Sequence, residues 1–171
     1  ALTTGLGEFQ NSTGPSSVLF YLCGYTITNL AAFSAIIVVS NRESSDQISD
    51  FSGLGKRSPY MAAVLSIAMI SLTGLPPSIG FITKLYIFGS AIQNGLAWLA
   101  IIGVLTSVVS AYYYLRIIKV MYLSDPFSKS AVTTSLPLKL AVFGTGACIL
   151  VFGIYPKPLL ELSIAAGSVF Q

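Results

Sequence analysis

Histidine is absent from all 171 residues, and charge is scarce: Asp, Glu, Lys and Arg together make up 9% of the chain. Without histidine the chain lacks the commonest metal ligand and the commonest general base near neutral pH. A soluble domain carries about 25% charged residues, and 9% cannot cover a water-facing surface. Cysteine is limited to Cys23 and Cys148, each inside an apolar run, so there is neither a disulfide framework nor a CxxC pair for metal. No glycine-rich phosphate loop and no Ser-His-Asp set can be found. The basic residues are scattered, the net charge is only +3, and no basic run is interleaved with aromatics. Nucleic-acid binding and chemistry on a bound substrate are therefore not expected.

What the chain does have is apolar length, 54% of its residues. Residues 1–15 are polar, hold Gly5, Gly7, Gly14 and Pro15, and read as a loop. Asn11-Ser12-Thr13 fits a glycosylation acceptor, but the pattern is short and common, and no use of it is expected. The start at Ala1, with no initiator Met and no signal peptide, suggests a cleaved or partial chain. Residues 16–41 carry no charge and fit one membrane-spanning helix of about 20 residues or more. Residues 42–58, with Arg42, Glu43, Asp46, Asp50, Lys56 and Arg57, read as a loop outside the membrane. Further spans are expected at 59–94, 96–122 and 137–155, with 156–171 an interfacial tail. The expected fold is thus an all-α integral membrane protein of about four spans. Arg42, Lys56, Arg57, Arg116, Lys119, Lys129 and Lys139 then fall at one end of the bundle, the cytoplasmic or matrix-like side by the positive-inside rule.

The second span is unusual. Pro59 suits the first position of a helix, but the run meets Gly74-Leu75-Pro76-Pro77, where two missing N–H groups and two ring clashes must break it. Unbroken, 59–94 would be about 54 Å long, more than a bilayer needs. One span made of two half-helices is preferred over two short spans. Freed backbone groups at membrane depth are tolerated where they line a cavity or bury against protein, and transporters hold ions at such breaks; a simple proline kink or a loop between spans is the alternative.

Lys84 is the only charged residue between Pro59 and Leu115. A charge at mid-membrane costs roughly 2.5–3.5 kcal/mol on insertion scales and normally faces a wet cavity or a partner. Lysine also shifts its proton affinity readily when buried, so Lys84 is a candidate proton carrier; snorkelling to the membrane surface is the structural alternative. Asn29, Ser71 and Thr73 are candidate polar supports, while Thr26, Thr28 and Ser66 suit helix-to-helix glue. Gly103, Ser107 and Ala111, four apart, form a small-residue face for close packing. Tyr112, Tyr113 and Tyr114 next to Arg116 read as an interfacial belt.

The string Met69-Ile70-Ser71-Leu72-Thr73-Gly74-Leu75-Pro76-Pro77-Ser78-Ile79-Gly80-Phe81-Ile82-Thr83-Lys84 resembles subunit 2, or bacterial subunit N, of respiratory complex I. So do Pro59-Tyr60-Met61-Ala62-Ala63, Asn29-Leu30-Ala31-Ala32-Phe33 and Ser107-Val108-Val109-Ser110-Ala111-Tyr112-Tyr113-Tyr114-Leu115-Arg116; the resemblance covers residues 18–122. It implies an antiporter-like subunit built from two inverted five-helix repeats, of which this chain resembles the last third, the end of the second repeat. Lys84 then matches the lysine that follows the double proline on the family's hydrophilic axis. The axis glutamate and two lysines found earlier in the family have no counterpart here.

The resemblance further implies a fragment of a proton-translocating membrane-arm subunit of NADH:quinone oxidoreductase. No cofactor is expected in this chain, since FMN and iron–sulfur clusters sit elsewhere in such a complex. Its expected partners are the remaining N-terminal part of the same subunit, the other membrane-arm subunits and lipid. The mitochondrial inner membrane is the expected location, the bacterial plasma membrane the alternative. Two other functions remain open: a cation/proton antiporter subunit without a redox partner, and a structural fragment that completes a helical bundle.

Overall fold

The computed structural model describes residues 14–43, 47–126 and 136–170. Most of the N-terminal loop, the Asn11 acceptor pattern, Asp46 and Lys129 lie outside the described residues, and so do the side chains of Arg42 and Glu43. Among the described residues the chain is entirely helical: α1 (Gly14–Glu43), a 3₁₀ turn (Ile48–Phe51), α2 (Leu54–Arg57), α3 (Pro59–Thr73), α4 (Ile79–Gln93), α5 (Ala97–Leu123), α6 (Leu136–Ile154), α7 (Lys157–Gly167) and a final 3₁₀ turn (Ser168–Phe170). Three of these, α1, α5 and α6, are long and apolar enough to cross a membrane. Two shorter apolar helices, α3 and α4, have 15 residues each.

Contacts along α1 show that α3 and α4 form one broken span. Phe20 of α1 meets Tyr86 of α4 edge to face, with ring centroids 5.3 Å apart. One turn on, Gly24 lies against Ile79 and Thr83 near the start of α4. A turn further, Thr28 bonds Ser71 in the last turn of α3. Beyond that, Ala31, Ala35 and Val39 share a core with Met61 and Leu65 of α3. Moving up α1 therefore means moving down α4 and then down α3, so the two half-helices follow one another antiparallel to α1. Helices α5 and α6 likewise pack against both halves.

Lipid is as apolar as leucine, so helices in a membrane associate through close packing rather than through exclusion of water. Small residues stand at the contacts. Ala31, Ala32 and Ala35 are buried on α1 and Ala62 and Ala68 on α3, Gly146 of α6 faces Val64, and Gly153 abuts the backbone of Pro77 and Ser78. By contrast α5 turns most of its surface outward, with Trp98, Ile101, Leu105, Val108, Val109 and Tyr112 all exposed.

The break follows from local rules. Gly74 takes φ +89°, a left-handed conformation suited to glycine. Its N–H bonds the Ser71 carbonyl, and the Leu75 N–H bonds that of Ile70, a Schellman closure of α3. The Pro76–Pro77 bond is cis. Ser78 then precedes α4, its hydroxyl donating to the Leu75 carbonyl at 2.6 Å.

The loop after α1 is tied to the far end of α5. The Gly53 N–H bonds the Val120 carbonyl at 3.3 Å, Gly55 packs on Tyr122, and Lys56 lies 3.7 Å from Asp125. Lys56, Arg57, Arg116 and Lys119 therefore do cluster at one end of the bundle. At the other end α7 docks on α1: Leu160 joins Phe20 and Tyr86 in a buried cluster, and Gly167 abuts Ser16. The outer face of α7 keeps the exposed Lys157–Glu161 pair at 3.7 Å.

Candidate functional site

An α-helix leaves its last four carbonyls without intrahelical partners. At the end of α3 these belong to Ile70, Ser71, Leu72 and Thr73. The Schellman closure satisfies the first two. The other two accept hydrogen bonds from Lys84: its Nζ donates to the Leu72 carbonyl at 2.7 Å and to the Thr73 carbonyl at 3.1 Å. The ammonium thus caps the negative end of one half-helix from the first turns of the next. This end of a helix dipole attracts cations, and backbone carbonyls are accepted partners for a charge at membrane depth.

Lys84 is held there by helix phase. Gly80 and Lys84 are one turn apart and share a face of α4, and that face presses on the end of α3. The Gly80 N–H donates to Ser71 Oγ at 3.1 Å. A Cβ on Gly80 would run into the Ser71 carbonyl. The absence of that one carbon lets the half-helices approach closely enough for Nζ to reach Leu72.

Beside the ammonium lies a cavity of about 200 Å³, lined by Lys84, Leu72 and Gly80 and by hydroxyl-bearing residues from four helices: Tyr21, Tyr25 and Thr28 of α1, Ser71 of α3, Thr83 of α4, and Thr106, Ser107, Ser110 and Tyr114 of α5. No carboxylate lines it among the described residues, and among them no cluster of His, Cys, Asp or Glu could hold a metal ion. A polar space of this size has room for several waters. Lysine has three N–H donors; two are bound to carbonyls, which leaves one for the cavity.

Of the residues singled out from sequence, Lys84, Gly74 and Ser71 come together here. Leu75, Pro76 and Pro77 form the connection between the half-helices. Thr73 takes part through its carbonyl, while its hydroxyl bonds back to Met69 at 2.9 Å. Asn29 does not line the cavity: its amide donates to the Tyr25 carbonyl at 2.8 Å on its own helix, and Thr28, rotated by one residue, faces α3 instead. The tyrosine run divides as well. Tyr112 and Tyr113 are exposed, whereas Tyr114 turns to the cavity. Gly103 packs against the Phe88 ring, as a small-residue face would, but Ser107 of the same set opens on the cavity. The polar wall was missed in the sequence, although its signal was there. Hydroxyls at 21, 25 and 28, and again at 107, 110 and 114, fall on single stripes at helical spacing.

A span broken at mid-length, whose carbonyl end meets a lone lysine beside a polar cavity, is the architecture of ion-handling membrane proteins. Comparison with known proteins narrows the class. Residues 2–110 match the family described as "NADH:quinone oxidoreductase/Mrp antiporter, TM", and the chain belongs to that family. It is 44% identical over 149 residues to the NADH-quinone oxidoreductase subunit N of Dehalococcoides mccartyi, which covers 87% of this chain but 31% of that relative. Among solved structures it resembles a chain of the membrane-bound sulfane sulfur reductase, an archaeal respiratory membrane complex, with a TM-score of 0.81 and 31% identity over 90% of this chain and 31% of that one. It also resembles a chain of respiratory complex I from Thermus thermophilus with bound aureothin, with a TM-score of 0.72 and 27% identity over 86% of this chain and 34% of that one. The chain therefore spans about a third of the length of the relatives it matches. It is an antiporter-like integral membrane protein, and the expectation of a mitochondrial membrane finds no support in these relatives.

Proposed function

We propose that the chain is part of a proton-translocating membrane-arm subunit of an NADH:quinone oxidoreductase, and that Lys84 carries the proton. The observation behind this is the position of Nζ, with two N–H groups on the carbonyls of Leu72 and Thr73 and the polar cavity beside it. A proton leaving Nζ enters the cavity, and a proton returning from the other side restores the ammonium. The carbonyls stabilise the charged form and the cavity supplies the exit. Flavin and iron–sulfur chemistry belongs to other subunits of such a complex, and the driving rearrangement reaches Lys84 through the rest of the same subunit and its neighbours along the arm. The bacterial and archaeal relatives favour a plasma membrane.

The test is Lys84→Ala in the assembled complex, reconstituted in liposomes, with protons moved and quinone reduced measured together. Fewer protons per electron pair, with subunit content unchanged, is the expected result. A wild-type ratio would leave Lys84 a purely structural cap. Purification free of flavin and iron–sulfur subunits would instead point to a stand-alone cation/proton antiporter.

A further inference from the structure

Ser71 is fully buried, and so is its neighbour Thr28. Their hydroxyl oxygens lie 3.0 Å apart. Each hydroxyl has one proton to donate. Thr28 donates its proton to the Gly24 carbonyl at 2.8 Å, so Ser71 is the donor between them. Ser71 in turn accepts from the Gly80 N–H at 3.1 Å. The bonds form a one-way chain from the first turn of α4, through the last turn of α3, to the backbone of α1. Within it Ser71 has no proton left to pass to Lys84.

Gly80 and Lys84 press the same face of α4 on the same end of α3, one through Ser71 Oγ and the other through the carbonyls of Leu72 and Thr73. Holding Gly80 therefore sets the distance from which Lys84 reaches its acceptors. Building on Lys84 as the proton carrier, we propose that Ser71, braced by Thr28, is a positioning residue that pins the two half-helices together and keeps the Lys84 ammonium on the α3 carbonyls, without relaying protons itself.

The test uses Ser71→Ala, Thr28→Val, Thr28→Ser and the Ser71→Ala/Thr28→Val double variant in the assembled complex. Two quantities are measured: hydrogen exchange of peptides containing the Gly80 amide, and protons moved per electron pair. Thr28→Val keeps shape and loses the hydroxyl, while Thr28→Ser keeps the hydroxyl and loses a methyl. Expected are Gly80 exchange faster by about tenfold or more and a lowered proton ratio for Ser71→Ala and Thr28→Val. Thr28→Ser should match wild type, and the double variant should be no worse than the more affected single one, as for residues in one chain of bonds. If Ser71→Ala does not assemble, the Thr28 pair decides alone. Equal loss in Thr28→Ser and Thr28→Val would reduce the contact to packing and overturn the proposal. Faster exchange with an unchanged proton ratio would also overturn it. Unchanged Gly80 exchange removes the bridge whatever Lys84 does, whereas a wild-type ratio in Lys84→Ala removes the proton carrier and the positioning role with it.

Discussion

Gly80→Ala tests the geometry of the break without altering a charge or a hydroxyl. The added methyl would collide with the Ser71 carbonyl, a backbone atom that cannot rotate aside. In an interior packed to crystal density the helix must back away by about 1 Å. Overpacking of this kind costs about 1–3 kcal/mol, of which alanine's better helix propensity returns about 1 kcal/mol. The larger consequence falls on Lys84. Its bonds of 2.7 and 3.1 Å would stretch towards 3.7 and 4.1 Å, past the roughly 3.5 Å at which such a contact stops being a hydrogen bond. Hydrogen bonds from charged groups contribute about 1.5–3 kcal/mol each, partly recovered by water and by the flexible lysine stem. Gly80→Ala is therefore expected to lower the thermal stability of the assembled complex modestly and to cut protons moved per electron pair severalfold. Gly144→Ala is the control, because nothing lies within 4 Å of a Cβ built there. A Gly80→Ala complex that assembles and pumps at the wild-type ratio would refute the reasoning, as would equal losses in the Gly144→Ala control.

Other perturbations separate the same forces. Gly74→Ala places a Cβ at φ +89° and 2.9 Å from Lys84 Cδ, so it should cost about 1–3 kcal/mol of backbone strain and lower the proton ratio; a thermal melt and a pumping assay check the two effects. Gly53→Ala, at φ +62° and against Pro126, should loosen the loop from α5 and lower the melting temperature with little change in the proton ratio. Lys56→Ala should be neutral within about 0.5 kcal/mol, because its pair with Asp125 is solvent-exposed; a melt showing a larger loss would reveal a further partner.

Much of the fold was legible in the sequence because the membrane makes it so. Uncharged runs of span length and a double proline inside one of them leave little choice; the structure differs at the edges, where α1 runs from Gly14 to Glu43, the loop after it holds a 3₁₀ turn and α2, and the C-terminal stretch forms α7 packed on α1. Lys84 was legible as the sole charge in its region. What it binds was not, since every residue has a carbonyl. Leu72 and Thr73 become acceptors only because Gly74 ends α3 and the proline turn brings α4 back onto that end. Asn29 is a candidate polar support by its place in the span, yet a rotation of 100° per residue hands the contact to Thr28. A threonine in an apolar helix satisfies its hydroxyl on the preceding turn whether or not it also meets a partner, so composition does not tell the two cases apart.

The most direct measurement replaces the ammonium and then restores it. In Lys84→Cys the charge is gone, and alkylation with 2-bromoethylamine rebuilds a side chain of lysine length with a terminal ammonium. Lys84→Ala, treated in parallel, accounts for reaction at Cys23 and Cys148, and intact mass confirms the added group. Protons moved per electron pair should fall in Lys84→Cys and recover after alkylation, with no recovery in Lys84→Ala. A wild-type ratio in unmodified Lys84→Cys, or a confirmed aminoethyl group that restores nothing, would contradict the assignment of proton transfer to the Lys84 ammonium.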